Sequence, residues 1–273
     1  MRLSHIALPC LALTCLAPLA AADVRFGSLD NPTRSTIRVG VAATYFQTDT
    51  YLDGTTEKKW SDNLKQSGLA ATVGFQPFDS LGLDAKLGTY KITAPADAGG
   101  DDEGLLDTII GVTWRPISVA GMGLGLRGEA IIQGTYEPGF AEAPGLSANG
   151  GGLMAVLQGP IITASPVAVD VGAGGRAYGE GVPPEAVGWA RAGVGLGATA
   201  LWAGYTHTQS IGGHDFSEAG DPRDIHRVVG VADVSVSLAI IPTIQINAGV
   251  AQTVIGENKA EKTVYGLGAG FTF

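Results

Sequence analysis

The last ten residues of the chain, 264–273, constrain its fold most strongly. From position 265 onward every second residue is apolar: Tyr265, Leu267, Ala269, Phe271 and Phe273. The positions between them hold only glycine and threonine. Successive side chains of a β-strand point to opposite sides, so a period of two places these apolar residues on one face. The stretch therefore predicts a C-terminal strand with an apolar face opposite a face of very small residues.

A closing strand of this kind, ending on an aromatic residue, resembles the C-terminal strand of bacterial outer-membrane β-barrel proteins. In that family the barrel-assembly machinery reads this signature. The resemblance implies that the five apolar residues form the assembly signal, and that the assembly machinery and outer-membrane lipid are partners. It also implies a location in the outer membrane of a Gram-negative-type bacterium.

Residues 1–22 have the layout of a secretory signal peptide. Arg2 is followed by an apolar run and then by three alanines at 20–22, which suit a cleavage site. The run is shorter than the ~20 apolar residues of a spanning helix. Both cysteines lie in this segment, so the mature chain is expected to have neither a disulfide nor a thiol nucleophile. We expect one barrel domain over 23–273, beginning with a short polar lead-in at 23–34.

Composition and charge exclude several classes of protein. The chain has 41 glycines and only 16% charged residues, which is poor material for helices. Glycine is tolerated in a closed sheet, where neighbouring strands hold every backbone group. Without the signal peptide, 16 Lys and Arg stand against 26 Asp and Glu, a formal charge of −10. This charge argues against nucleic acid as a partner and leaves no basic face for anionic lipid.

Alternating segments recur along the mature chain, and the connections between them alternate in length. Twelve segments are counted, separated by long polar stretches such as 48–66 and 210–224 and by short turns such as 77–80. Short turns on one side, longer loops on the other and an even strand number are typical of outer-membrane barrels. The sequence thus predicts an all-β fold, a closed antiparallel transmembrane β-barrel of about 12 strands. Ten or fourteen strands also fit, with short periplasmic turns and longer extracellular loops.

The aromatic residues predict two girdles at the membrane interfaces, where amphipathic rings prefer to lie. The girdle beside the long loops is predicted to contain Tyr45, Tyr90, Tyr136, Tyr178, Trp189 and Tyr265. The girdle beside the short turns is predicted to contain Phe75, Trp114, Trp202, Phe271 and Phe273.

Motifs for cofactors and metals are weak. The segment 123–128 matches the glycine pattern of a dinucleotide-binding turn, but no helix follows it, so the phosphate site that this motif needs is absent. The mature histidines, His207, His214 and His226, lack metal-ligand spacing. We therefore expect neither a cofactor nor a metal site.

Two sets of residues offer weak candidates for a hydrolase site. Asp101 and Asp102 in one outer loop and His214 and Asp215 in another loosely resemble the site of the omptin proteases, which activate a water molecule. That family has ten strands and carries these groups at strand ends. A phospholipase-type site is conceivable around His207 but has no motif to support it. The sequence therefore favours a protein that is not an enzyme.

The face of the strands opposite the apolar one collects charged residues and is expected to line the lumen. The predicted lining is Arg38, Asp84, Lys86, Arg115, Arg127, Glu129, Asp170, Arg176, Arg191, Arg227 and Asp233. Seven cations against four anions favour anions in a pore, and the remaining acidic residues, including Glu185, are then expected in loops. We predict a passive channel for small polar solutes with mild anion preference. The alternative is a closed structural barrel whose charges pair across a filled interior.

Overall fold

The computed structural model describes residues 37–119, 121–135, 148–161, 165–179, 181–215 and 224–273. The predicted signal peptide and the lead-in lie outside these ranges. The described residues form thirteen strands: β1 Ile37–Asp53, β2 Thr56–Phe78, β3 Leu81–Thr93, β4 Asp102–Leu105, β5 Thr108–Val119, β6 Met122–Ile132, β7 Gly150–Pro160, β8 Val167–Tyr178, β9 Glu185–Leu196, β10 Thr199–Ser210, β11 Val228–Ile241, β12 Ile244–Glu257 and β13 Thr263–Thr272. One 3-10 turn covers Ala96–Ala98.

The strands close into one antiparallel barrel. Each barrel strand pairs with the next along the chain, and β13 returns to pair with β1, with Tyr45 opposite Tyr265. The short β4 pairs with β3 beyond the end of β5, so β4 and β5 share one position in the wall. The barrel therefore has twelve strands, and the predicted fold is confirmed. No helix in the described ranges is long and apolar enough to cross a membrane.

Connections at one end of the barrel, here the turn end, are short, as between β2 and β3 or β11 and β12. Three of those at the other end, here the loop end, are clearly longer: the connections from β3 to β5, from β6 to β7 and from β10 to β11. Along each strand, apolar side chains such as Leu83 and Val250, 39% and 38% exposed, point outward. Polar side chains alternate with them and point inward, as the period of two requires.

The first hairpin differs from the prediction. Residues 48–66 were expected to form a loop, but β1 and β2 continue through most of this stretch to a turn at Gly54, whose φ is +57°. Tyr51 and Trp60 stack with ring centroids 4.8 Å apart, and Lys59 pairs with Asp49 at 3.3 Å. Polar strands lack the apolar alternation that marks a lipid-facing segment, so cross-strand pairing in this outer hairpin left little signal in the sequence.

The girdle prediction is wrong for four aromatic residues, whose side chains face into the barrel: Tyr90, Tyr178, Trp189 and Trp202. Tyr90, Tyr178 and Trp189 have the same parity as the inward charged residues of their strands, and Trp202 has the parity of Gly204, which lies in register with Arg191 and Asp233. Parity rather than position along the strand decides which face a side chain occupies. The outward-facing members with large exposure are Tyr45, Phe75, Trp114, Tyr265 and Phe273. Tyr136 lies outside the described residues.

Candidate channel lining

The predicted lining residues all lie on the inward face of the wall or at its edge. Seven of them are less than 9% exposed: Arg38, Arg115, Glu129, Asp170, Arg176, Arg191 and Asp233. Asp84, Lys86 and Arg127 are half-buried, and so is Arg227, which immediately precedes β11. These side chains are therefore packed closely on the inner face of the barrel wall.

One chain of alternating charges runs along the wall from β3 to β8. The Arg127 guanidinium donates to both oxygens of Asp84, at 2.6 and 2.8 Å, and its Nε donates to Glu129 Oε1 at 2.8 Å. The other Glu129 oxygen accepts from Arg176 Nε and Nη2, at 3.1 and 3.0 Å. Bidentate and charge-assisted contacts of this kind are the strong ones. The four side chains thus hold one another in fixed positions.

A second ion pair joins β9 to β11. Arg191 Nη2 lies 2.6 Å from Asp233 Oδ2, and both side chains are almost fully buried. Gly204 of β10 stands between them in register. A Cβ atom at this glycine would lie 2.6 Å from Arg191 Cγ and 2.8 Å from Asp233 Oδ1. The pair therefore reaches across β10 because that strand has no side chain at this point.

The same arrangement recurs in the first network. Gly111 of β5 lies in register between Asp84 and Glu129, and a Cβ atom there would come within 2.3 Å of Arg127 Nη2. Gly152 of β7 lies in register between Glu129 and Arg176. Charged residues on alternate strands are thus joined across intervening glycines.

A third network, nearer the turn end, mixes charged and neutral groups. Arg115 donates to the amide oxygens of Gln158 and Gln76, at 3.3 and 3.4 Å. Asp170 accepts from Gln158 Nε2 at 3.0 Å and from the indole N–H of Trp189 at 2.8 Å. Neutral side chains therefore complete the polar lining on this side of the wall.

Several residues of these networks were missed by the sequence analysis. Glu185 was expected in a loop but begins β9, where its carboxylate accepts from the Tyr178 hydroxyl at 2.8 Å. The strand parity that places Arg191 inward also applies to Glu185, six residues earlier. Gln76 and Gln158 carry no charge, so the pattern of charges that predicts the lining does not include them.

Beyond the charges, toward the loop end, the inward face becomes apolar. Phe46, Leu64, Ile92 and Val264 are at most 1% exposed and belong to one cluster that extends over β13 and β1–β3. The Lys262 ammonium lies 4.7 Å from the centre of the Phe46 ring, a cation–π contact. The lumen wall thus has an apolar zone at the loop end and a polar zone below it.

Comparison with known proteins gave structural matches. No protein-family model and no curated protein matches the chain. The COG4313 outer membrane channel from Pseudomonas putida F1 has a TM-score of 0.72 at 16% identity, over 89% of this chain and 97% of that chain. The chain has the fold of an outer-membrane β-barrel. The translocator domain of autotransporter NalP from Neisseria meningitidis gives 0.53 at 13% identity, over 90% and 91%. The NanC porin gives 0.53 at 9% identity, over 85% and 98%.

In this outer-membrane β-barrel, the residues of the omptin-like arrangement contact other partners. Asp101 Oδ1 accepts from the Ala94 amide at 3.0 Å. His214 Nδ1 lies 2.8 Å from Asp224 Oδ2, within its own loop. Asp215 accepts from Asn258 at 2.9 Å. These contacts do not assemble the carboxylates and the histidine around one point where a water molecule would be activated.

The other enzymatic and metal candidates are similarly weak. His207 Nδ1 lies 3.2 Å from the Tyr205 hydroxyl, and both side chains are half-buried. Residues 123–128 belong to β6, so the glycine motif lies in a strand. Among the described residues, no group of three or more His, Cys, Asp or Glu side chains is placed to hold a metal ion.

A buried asparagine ties three connections together at the loop end. Asn258, fully buried with φ +52°, accepts from the Gly54 amide at 2.6 Å through Oδ1. Its Nδ2 donates to Asp215 Oδ1 and to the carbonyl of His226, at 2.9 and 2.8 Å. Asparagine tolerates the left-handed conformation better than most residues. This contact, the Asn258 clasp, fixes the first hairpin to the connections that follow β10 and β12.

Proposed function

We propose that this protein is a passive outer-membrane channel for small polar solutes. The observation that carries the proposal is the direction of the lumen ion pairs. Asp84–Arg127, Glu129–Arg176 and Arg191–Asp233 each join strands separated by one intervening strand, so these charges lie along the wall. Charges held against the wall line a passage, whereas charges that bridge opposite walls would fill it.

We also propose that the protein lies in the outer membrane after removal of its signal peptide, and the apolar outer surface of the barrel supports the membrane location. Leu69, Leu153 and Leu267 are 57%, 62% and 61% exposed on the outside of the barrel. Side chains of this kind are stabilised by lipid and disfavoured in water. The assembly-signal residues Tyr265 and Leu267 face outward with them.

We propose that the channel prefers anions mildly. The seven predicted cations share the inward face with five anions once Glu185 joins the predicted four. Fixed cations raise the local concentration of anions, and a narrow passage with low-dielectric walls strengthens this effect. The carboxylates beside Arg127, Arg176 and Arg191 offset much of the positive field, so the expected preference is small.

The alternative function is that of a closed structural barrel. The observation that favours it is the small exposure of the lining, since Asp170, Arg191 and Asp233 are 1%, 2% and 3% exposed. Small barrels filled by side chains show such burial.

Conductance of the purified protein in a planar lipid bilayer separates these functions. A channel gives discrete current steps. In a potassium chloride gradient, an anion-preferring channel gives a reversal potential whose sign shows that chloride permeates more readily than potassium. Detergent buffer and heat-unfolded protein serve as controls. A folded barrel that gives no steps is a closed barrel, and assays of lipid and peptide hydrolysis then test for an enzyme.

A further inference from the structure

The first hairpin continues beyond the barrel wall. β13 pairs with β1 only as far as Phe46, and β3 pairs with β2 only from Lys65 onward. Beyond these points, residues 47–64 form a two-stranded ribbon, with which neither of the neighbouring strands β13 and β3 pairs. The position of the ribbon therefore depends on contacts other than those of the barrel wall.

A bulge in the ribbon redirects one aromatic side chain. Opposite Asp49 alone, β2 has the four residues 60–63. Bulges bend a strand and re-aim its side chains. Trp60 lies in this bulge, is 7% exposed and belongs to the apolar cluster that contains the inward residues Phe46 and Leu64. The bulge thus places an aromatic ring of the ribbon on the apolar zone of the lumen wall.

Hydrogen bonds fasten the ribbon along both edges. On one edge, the Leu52 amide donates to the Lys259 carbonyl at 2.8 Å, in the connection between β12 and β13. On the other edge, the amide and the hydroxyl of Ser61 donate to the Asp97 carboxylate at 2.8 and 2.9 Å, in the connection that follows β3. The Asn258 clasp holds the tip. The ribbon and these two connections therefore form one continuous cover.

This cover lies on the apolar zone at the loop end. Ala98 and Ala260, one from each of the two connections, belong to the same buried cluster as Trp60. Water is therefore excluded from the inward side chains beneath the cover, of which Phe46 and Leu64 are 1% and 0% exposed. Apolar constrictions oppose the passage of ions and polar solutes because water leaves them. The cover thus narrows the path for such solutes at this end of the lumen.

The ribbon is held less firmly than a strand of the wall. A wall strand has a paired neighbour along each side, whereas the ribbon is attached through a few hydrogen bonds and the ring of Trp60. Its ion pairs, Lys58 with Asp53 and Lys59 with Asp49, lie within the ribbon and do not fasten it to the barrel. Segments with few buried contacts open locally at a low cost in free energy. The ribbon is therefore the part of this cover that can move.

We infer that residues 47–64 form a lid on the loop end of the lumen. With Trp60 seated in the apolar cluster the lid narrows the passage, and when Trp60 leaves the cluster the ribbon lifts and the passage widens. This inference rests on the proposed channel function and adds a gate to it. The gate at the loop end controls how much current passes, whereas the charged residues below it control which ions pass.

The first test is Trp60→Ser, measured as time-averaged current through bilayers in potassium chloride. The variant loses the apolar anchor of the lid, so the conductance per barrel is expected to rise roughly five-fold. Trp114→Ser is the matched control, because it makes the same substitution at an outward side chain of β5, 52% exposed, and is expected to leave the conductance unchanged. Heat modifiability verifies that each variant is folded. An unchanged conductance in folded Trp60→Ser overturns the lid while the channel stands.

A cysteine pair tests the lid within a single protein. Tyr51 of the ribbon forms an antiparallel bridge with Ala260, and the hydrogen bonds on either side make it a non-hydrogen-bonded pair. The Cα atoms of such a pair are about 4.5 Å apart, which suits a disulfide. The described residues include no cysteine of their own. Oxidised Tyr51→Cys/Ala260→Cys is expected to conduct about ten-fold less than the same protein after reduction, because the disulfide keeps the ribbon beside the connection.

The two single-cysteine variants are the controls and are expected to respond to neither oxidant nor reductant. Equal conductance of the oxidised and reduced pair, or a pair that does not oxidise in the folded barrel, overturns the lid. A wild type and a Trp60→Ser variant that are both folded and both silent overturn the lid together with the proposed channel. A silent wild type beside a conducting Trp60→Ser variant supports the lid, which is then shut at rest.

Discussion

The indole of Trp189 on β9 lies over Gly172 on β8. The two residues are paired in register, and a Cβ atom on residue 172 would come within 2.2 Å of the ring. The same relation holds between Trp202 on β10 and Gly193 on β9, at 2.3 Å. Large inward side chains therefore lie flat on the wall because the neighbouring strand provides a glycine.

Gly172→Val is expected to destabilise the barrel by about 1–3 kcal/mol, the typical range for overpacking a well-packed site. Urea unfolding in detergent, followed by tryptophan fluorescence, measures this loss. Ala173→Val on the exposed face of the same strand is the matched control and is expected to be nearly neutral. Equal stability of the two variants would contradict the packing relation.

Deletion of Phe273 is expected to lower the amount of folded barrel in the outer membrane. The residue ends the assembly signal, and its backbone exchanges hydrogen bonds with Ile37, at 2.9 and 3.1 Å, where β13 meets β1. The fraction of heat-modifiable protein in membrane extracts is the measurement. Phe273→Trp, which keeps the terminal aromatic residue, is the control. Wild-type levels from the deletion would show that assembly does not need the signal.

Arginine at Leu83 or at Val250 is expected to cost ~2–4 kcal/mol if the position is near the membrane midplane. Both side chains point outward, toward lipid. Equilibrium unfolding in lipid vesicles gives the free energy. Lys86→Arg, an inward substitution that keeps the charge on the strand of Leu83, is the control. Neutral results at both outward positions would mean that these residues do not contact the membrane interior.

Replacing Arg127, Arg176 and Arg191 by glutamine is expected to shift the selectivity of the channel toward cations. The three substitutions remove positive charges that the structure places on the inward face, beside the carboxylates of Asp84, Glu129 and Asp233. Reversal potentials in potassium chloride gradients measure the shift. It should shrink at 1 M salt, where the Debye length is ~3 Å.

The reciprocal variant, with Asp84→Asn, Glu129→Gln and Asp233→Asn, is the control and should move selectivity toward anions. A wild type that prefers cations, or an unchanged reversal potential in the arginine variant, would refute the proposed anion preference and leave the barrel itself unaffected.

Asn258→Ala is expected to loosen the loop end of the barrel, because it removes all three hydrogen bonds of the Asn258 clasp. Limited proteolysis of intact barrels should then cut the connection between β10 and β11 several-fold faster. Asn63→Ala on β2 is the control, since its side chain is outside the clasp. Unchanged cleavage would show that other contacts hold these connections.

The sequence by itself determined the barrel and its inside and outside. The period of two in segments such as 264–273 depends only on the pleat of a strand, and the contrast between lipid and lumen is strong enough to appear in single segments. The strand number and the inward position of residues such as Arg127 and Asp170 followed from the same signal. Where that contrast is missing, as in the polar outer hairpin at 48–66, the sequence did not indicate that the residues form strands.

Only the tertiary structure decided which residues meet across strands. Asp84 and Arg127 are 43 positions apart, and their contact depends on the pairing register of β3, β5 and β6. The alternation of residues within each strand does not reveal this register. The same holds for Gly172 beneath Trp189. A glycine in the sequence indicates a missing side chain, but whether the space holds an aromatic ring or an ion pair depends on the neighbouring strand.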